Sequence, residues 1–267
     1  MGRGKRIKLG NGRRLVSDLI RIANAIPAAG IATEYELRPV AQLRRRIRPK
    51  LSWNILYMKA YALVASETPV LNQYHVGFPF AHLYQSDSVV CMMTISRQYR
   101  GEDRLLFARF TNPQNYSLHS LQQQYCRFRD DPVDSIRQFR HQIRFAGMPN
   151  WVRRLGWWTM FNLWPSKRAS HVGTLGISFS SYRGIYGNRS LGPLTTVLGI
   201  DPMPRKNRGR LMLTFDHRVL DGMPACRILE NIQAKLQTVV QAELQALLEQ
   251  QDSEEDSEEA NPKKTAA

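Results

Sequence analysis

The stretch LMLTFDHRVLDG, Leu211 to Gly222, sets a histidine and an aspartate four residues apart, just after a short apolar run. Leu211 to Phe215 reads as a strand, which places His217 at a strand end, facing the crevice that lies there. Imidazole titrates at about 6.5 when unperturbed, so it can accept a proton near neutral pH and serve as a general base. Asp221 can hold the loop by pairing with a nearby arginine. Gly222 lets the backbone turn sharply, and Pro224 suits the first turn of a helix. The pattern H-x-x-x-D-G alone is a weak signal, because a lone histidine is more often structural than catalytic. The longer string D-H-R-x-x-D-G behind LMLTF is far more specific.

A second segment with chemical potential is MPNWVRRLGWWTMFNLWPSKR, Met148 to Arg168. It holds four of the five tryptophans, interleaved with arginine and lysine. Such a segment can form an acyl-chain pocket, a membrane-interface patch or an aromatic platform for bases. The competing reading, an amphipathic helix whose tryptophans serve as core and subunit contact, is favoured because aromatics dominate burial. Cys91, Cys126 and Cys226 are far apart and odd in number, with no C-x-x-C spacing. They indicate neither a disulfide framework nor a zinc site and fit a reduced, cytoplasmic compartment.

The elements that must position these residues alternate between helix and strand. Leu15, Leu19, Ile22 and Ile26 share one helical face over residues 13–26, and Pro27 ends that helix. Ile31 to Val40 reads as a half-buried strand. Ser52 to Ser66 is an apolar helix with Lys59 as its only charge, stopped at Thr68-Pro69. Ser88 to Ser96 is a nearly continuous apolar run, as in a central strand covered on both faces. Leu118 to Phe145 is helical with a break at Asp131-Pro132. Thr174 to Ser181, Leu194 to Ile200 and Leu211 to Phe215 are strands, and Pro224 to Gln250 is a long helix. Strands mixed with long helices predict an α/β domain.

A hydrophobic share of 43% allows a real core over 267 residues. The formal net charge of +16 is uneven, since Asp252 to Glu259 alone carries six acids. A basic surface invites anionic partners, and coenzyme A, with its phosphates, is one. Met1 to Arg14 is basic without a following apolar run, so it does not read as a signal peptide. No stretch approaches about 18 apolar residues, so no membrane span is expected. The chain divides into a basic flexible arm (1–12), a main domain (13–250) and a disordered acidic tail (251–267).

FDHRVLDG resembles the active-site motif of the catalytic domain of dihydrolipoyl acyltransferases, the core component of 2-oxo acid dehydrogenase complexes. Chloramphenicol acetyltransferase shares that fold and a shorter form of the motif. Other parts agree in order: Arg13-Arg14 through Pro27, IATEYELRPVAQLRRR, the helix Lys50 to Asn72 with its P-x-x-N turn at Pro69 and Asn72, and GTLGIS, Gly173 to Ser178. The likeness spans about residues 12 to 248 and is weak between about 97 and 170.

The resemblance implies an α/β, chloramphenicol acetyltransferase-like two-layer sandwich with a mixed sheet and packed helices, assembled as a homotrimer or higher. It implies that His217 deprotonates an acceptor, that Ser178 stabilises the oxyanion, and that Asp221 holds the loop through Arg13 or Arg14. Asp216, Arg218 and Gly222 complete the motif as support. In the family the histidine and serine of one site come from different chains. Acyl-CoA or an acyl carrier protein is the expected donor, with no metal and no lipoyl domain of its own, so a free-standing acyltransferase is expected rather than a pyruvate-type core. The alternative is a catalytically idle trimeric scaffold or ligand sensor. Nucleic acid is not an expected partner, because no base-reading motif accompanies the arginines. The residues that contact coenzyme A are not readable from the sequence.

Overall fold

The 3.6-residue spacing of Leu15, Leu19 and Ile22 is realised in helix α1 (Asn11–Ala23), whose apolar stripe faces inward. The computed structural model describes residues 4, 5, 7, 9–179, 181–182, 185–186, 192–203 and 207–259. Parts of the expected arm (1–12) and the end of the expected tail (260–267) lie outside them. The chain continues into β1 (Ala28–Glu36) and α2 (Arg38–Arg46). The strand expected over Ile31 to Val40 therefore starts earlier and gives way to a helix at Arg38. Pro39 explains the switch: its fixed φ and missing donor suit a first helical turn and cannot continue a ladder.

Helix α3 (Trp53–Glu67) is the centre of the molecule. Its residues are apolar all round, and Ile55, Leu56, Tyr57, Met58 and Tyr61 are fully buried. Each such aliphatic side chain contributes about 1.5–3 kcal/mol of burial. Lys59, its one charge before the terminal Glu67, is neutralised rather than exposed: Nζ donates to the carbonyls of Gln114 (2.8 Å) and Tyr116 (2.5 Å), with Glu243 at 3.9 Å. A short hairpin follows, β2 (Gln73–Val76) with β3 (His82–Gln85).

β4 (Val90–Tyr99) and β5 (Glu102–Thr111) form a long antiparallel hairpin. Its two-residue turn, Arg100-Gly101, has φ of 53° and 75°. Two consecutive positive φ values match the right-handed twist of the strands they join. β5 went unread in the sequence. Nor is β4 covered on both faces as expected: Cys91, Met93 and Ile95 face the main core, while Thr94 and Ser96 are exposed on the other side.

The expected break at Asp131-Pro132 separates α4 (Leu118–Asp130) from α5 (Arg137–Gly147). The tryptophan-rich segment makes α6 (Asn150–Asn162) and α7 (Pro165–His171). Then come β6 (Leu175–Phe179), the two-residue strands β7 (Ser181–Tyr182) and β8 (Ile185–Tyr186), β9 (Thr196–Met203) and β10 (Arg208–Asp216). Gly173, entering β6, has φ +75°, and a Cβ there would sit 2.5 Å from the Val90 carbonyl oxygen, so this turn requires glycine. Helix α8 (Gly222–Lys235) passes through a π-helical turn (Leu236–Val240) into α9 (Gln241–Glu259). The tail is thus helical to Glu259, where disorder was expected from 251. Gln251 bonds the carbonyl of Arg48, and Asp252 lies 3.3 Å from Arg46, which anchors this end.

Six strands make one mixed sheet in the order β1-β10-β9-β6-β4-β5. Parallel pairs (β9–β6, β6–β4) lie at its centre, with antiparallel pairs outside. One face carries α3, α8 and α9 over the main core. The other is partly covered by α1, α5 and α6, around Leu15, Ala146, Trp157 and Val172. This is the α/β, sheet-and-helix arrangement with a mixed sheet that the sequence implied.

Candidate active site

β10 delivers His217. The strand ends at Asp216, paired in register with Ala28 of β1, and the chain turns at once: the backbone N–H groups of Val219 and Leu220 both donate to the Asp216 carbonyl. The Asp216 carboxylate, 3% exposed, accepts three bonds from Arg218: from its backbone N–H (3.0 Å), Nε (2.9 Å) and Nη2 (2.7 Å). This fork geometry is the strong, orienting kind of ion pair. The His217 N–H donates to the Pro27 carbonyl at 2.9 Å, tying the loop to the residue before β1.

Held in this way, the His217 ring faces solvent, with its centroid 5.7 Å from that of Phe215. Its Nδ1 lies 3.2 Å from Asp221 Oδ1. Asp221 is the residue before the first turn of α8, and its carbonyl accepts from Ala225. A carboxylate at Nδ1 favours the tautomer whose basic nitrogen is Nε2, which points away from the pair. The geometry therefore provides a proton acceptor at the surface with its orientation set.

Behind the loop lies a feature that the sequence did not reveal. Arg168 of α7 is buried, stacked 3.9 Å above the Tyr74 ring and 4.4 Å from the Phe161 ring, and Nη1 donates to the His75 carbonyl at 3.1 Å. Burial pulls its guanidinium down to about 10, against the opposing pull of the Tyr74 hydroxyl and Asp216. His75 is lowered as well, first by burial and then by Arg218. Asp216 thus pairs with Arg218 and lies within electrostatic reach of Arg168. Only the arrival of α7 against β2 makes this visible, since nothing in the spacing of Arg168 singles it out.

The expected support from Arg13 or Arg14 is not made within this chain. Both stand on the first turns of α1. Arg14 Nε donates to the Leu9 carbonyl at 3.1 Å, and Arg13 lines a shallow groove with Glu102 and Asp103. It is the other end of α1, at Ala23, that reaches Asp216 and Phe215. Ten residues of helix separate Arg13 from Ala23, about 15 Å. Asp221 is paired with His217 instead.

Ser178 sits on β6 and lines an apolar cavity of about 570 Å³ between the sheet and α1, with Leu15, Leu19, Phe107, Trp157 and Val197. It does not meet His217 in one chain. Ser178 is level with Gly199 on β9, and Gly199 with Met212 on β10. His217 is five residues beyond Met212 along β10 and two strands away from β6. At about 3.3 Å per residue and 4.8 Å per strand, the separation is roughly 19 Å.

Among the described residues, no group of three or more His, Cys, Asp or Glu could hold a metal ion. No helix there is long and apolar enough to cross a membrane.

No protein-family model matches the chain, and no curated protein matches it. Solved structures do. A probable dihydrolipoamide acetyltransferase from Listeria monocytogenes is 17% identical, with 88% of this chain and 95% of that one covered and a TM-score of 0.62. The dihydrolipoamide acetyltransferase of Azotobacter vinelandii, solved to probe the catalytic roles of a serine, a histidine and an asparagine, is 16% identical over 91% and 95%, also at 0.62. The cubic core of the pyruvate dehydrogenase multienzyme complex is 17% identical over 91% and 95%, at 0.58. At these identities the likeness is one of fold. The chain has the fold of dihydrolipoamide acetyltransferase catalytic domains and 2-oxo acid dehydrogenase cores.

Proposed function

We propose that the chain is an acyltransferase, moving an acyl group between a pantetheine-type thioester, on coenzyme A or a carrier protein, and a thiol, hydroxyl or amine acceptor. The observation that carries this reading is His217: Nδ1 is engaged by Asp221, Nε2 is free to accept a proton, and the loop is locked by the Asp216–Arg218 fork. In the Azotobacter enzyme the histidine and asparagine singled out for catalysis are four residues apart, as are His217 and Asp221 here. Asp221 stands here at the spacing where that enzyme has its asparagine.

In this mechanism Nε2 removes the acceptor's proton as its heteroatom attacks the thioester carbonyl carbon. The carbonyl electrons move onto oxygen, and the Ser178 hydroxyl donates to that oxyanion. Collapse expels the pantetheine thiolate, which takes the proton back from His217. One such oxyanion donor is commonly worth about 3 kcal/mol. The site needs two chains, because Ser178 and His217 are roughly 19 Å apart in one. Assembly as a trimer or higher, with His217 of one chain meeting Ser178 of the next, completes it. The cavity beside Ser178 then accepts the acyl or pantetheine arm, and the positive net charge suits the phosphates of coenzyme A.

A thiol-release assay with a panel of acyl-CoA donors, dihydrolipoamide among the acceptors, and the His217→Ala variant alongside tests this. Release that requires His217 is the expected result. Release that is unchanged in His217→Ala removes the catalytic role. No release with any donor, including carrier-bound ones, leaves the idle scaffold as the better account.

A further inference from the structure

Between Asp134 and Asp201 the chain runs for 66 residues with nine lysines and arginines and no acid. Helix α6 lies in this stretch and has two apolar faces. The inner face, with Trp157, Met160 and Phe161, completes the smaller core. The outer face is open to solvent: Trp151, Leu155 and Trp158, spaced four and three apart, are 70%, 55% and 46% exposed.

The exposed patch continues beyond the helix. Leu163 and Trp164 are open to solvent. Phe78, between β2 and β3, rests against Trp158 with ring centroids 5.6 Å apart, and Phe80 beside it is 81% exposed. Two cations stand near these rings: Arg154, exposed on α6 three residues after Trp151 and four before Trp158, where it also lines a groove with Arg14 and Asp18, and Lys167, 4.6 Å over the Trp164 ring. Among the described residues neither is ion-paired. Asp18, the carboxylate that approaches α6, is already taken by Arg153 at 2.7 Å.

From this we infer that the outer face of α6, with Trp164 and the β2–β3 turn, docks onto an anionic lipid surface. Tryptophans place their rings at the headgroup boundary, phenylalanine and leucine enter the acyl edge, and unpaired cations meet the negative headgroups. A two-fold contact between copies fits this face less well, since it would set the same cations against each other, and a ring contact between copies is distinguished by the mass of the assembly. The inference does not depend on the acyl-transfer reading.

Co-sedimentation of the full chain with vesicles tests it. One set is phosphatidylcholine alone, and the other contains about 30% phosphatidylglycerol. The expected result is binding to the anionic vesicles with a blue shift of tryptophan emission, and little binding to the neutral ones. The double variant Trp151→Ala/Trp158→Ala should lose at least tenfold in partitioning. Arg154→Gln/Lys167→Gln should lose about thirty-fold, as expected for two cations at an anionic surface. The number of subunits in the assembly, read by light scattering, should be the same in both variants as in the parent. The inference is overturned if the chain shows no preference for anionic vesicles, or if both variants bind like the parent. A changed number of subunits in the tryptophan variant with vesicle binding intact would assign the face to a second copy and overturn the inference.

Discussion

If His217 and Ser178 of one active site come from different chains, two inactive variants should repair each other. His217→Ala lacks the base, and Ser178→Ala lacks the oxyanion donor and should fall by about a hundredfold. Let the two be co-expressed in equal amounts with different tags. A site is intact when its His217 comes from the serine variant and its Ser178 from the histidine variant. Random assembly of a ring gives each condition a chance of one half, so about one quarter of the sites are whole. Purification through both tags removes the single-variant rings, and each mixed trimer then holds one whole site of three, so acyl transfer should approach a third of the parent rate, far above either variant alone. Strand register puts Ser178 level with Met212, five residues short of His217 and two strands away. Were both groups supplied by one chain, no mixed assembly would contain a whole site. Activity that stays at the level of the separate variants would refute the two-chain site.

Other consequences are simpler to measure. Asp216→Ala removes a 3%-exposed carboxylate that accepts three bonds from Arg218, so chemical denaturation should show a loss of about 3 kcal/mol. Trp157→Ala should cost about 3–5 kcal/mol in the same assay, because its ring packs edge-on to Phe145 at 5.2 Å, whereas Trp158→Ala on the outer face should cost under about 1 kcal/mol. The lowered His75 means that the unfolded chain binds its proton more readily than the folded one, so stability rises with pH through that window. Between the depressed folded value and about 6.5, the parent should lose stability as pH falls, and His75→Asn should lose less. The effect is small because His75 is only partly buried, and an identical pH slope in the two proteins would count against it.

How much of this was readable beforehand depended on the reach of the signal. The break at Asp131-Pro132 and the helix over Ser52 to Ser66 rest on residues within a turn or two of each other, and both stand in the structure within a few residues. β5 was missed because EDRLLFARFT alternates with apolar residues on both faces: Leu106, Ala108 and Phe110 face the core, while Leu105 and Phe107 line the cavity. A strand half-buried on each side has no clean period of two. The tail was read as disordered from its charge, yet contacts with Arg46 and Arg48, some 200 residues earlier, hold its start.

The sequence by itself determined the chemistry that one short loop can offer. His217, Asp221, Asp216, Arg218 and Gly222 lie within seven residues of one another, and their contacts are set by a single strand end and a single helix start. Only the tertiary structure decided what stands around that loop. Strand order and register keep Ser178 away from His217 in one chain, the run of α1 takes Arg13 and Arg14 from Asp221, and the packing of α6 turns Trp157 inward and Trp151 outward. The reason is physical. Local spacing fixes which face of an element a residue shares, but which faces meet is settled by long-range pairing and burial that no short window contains.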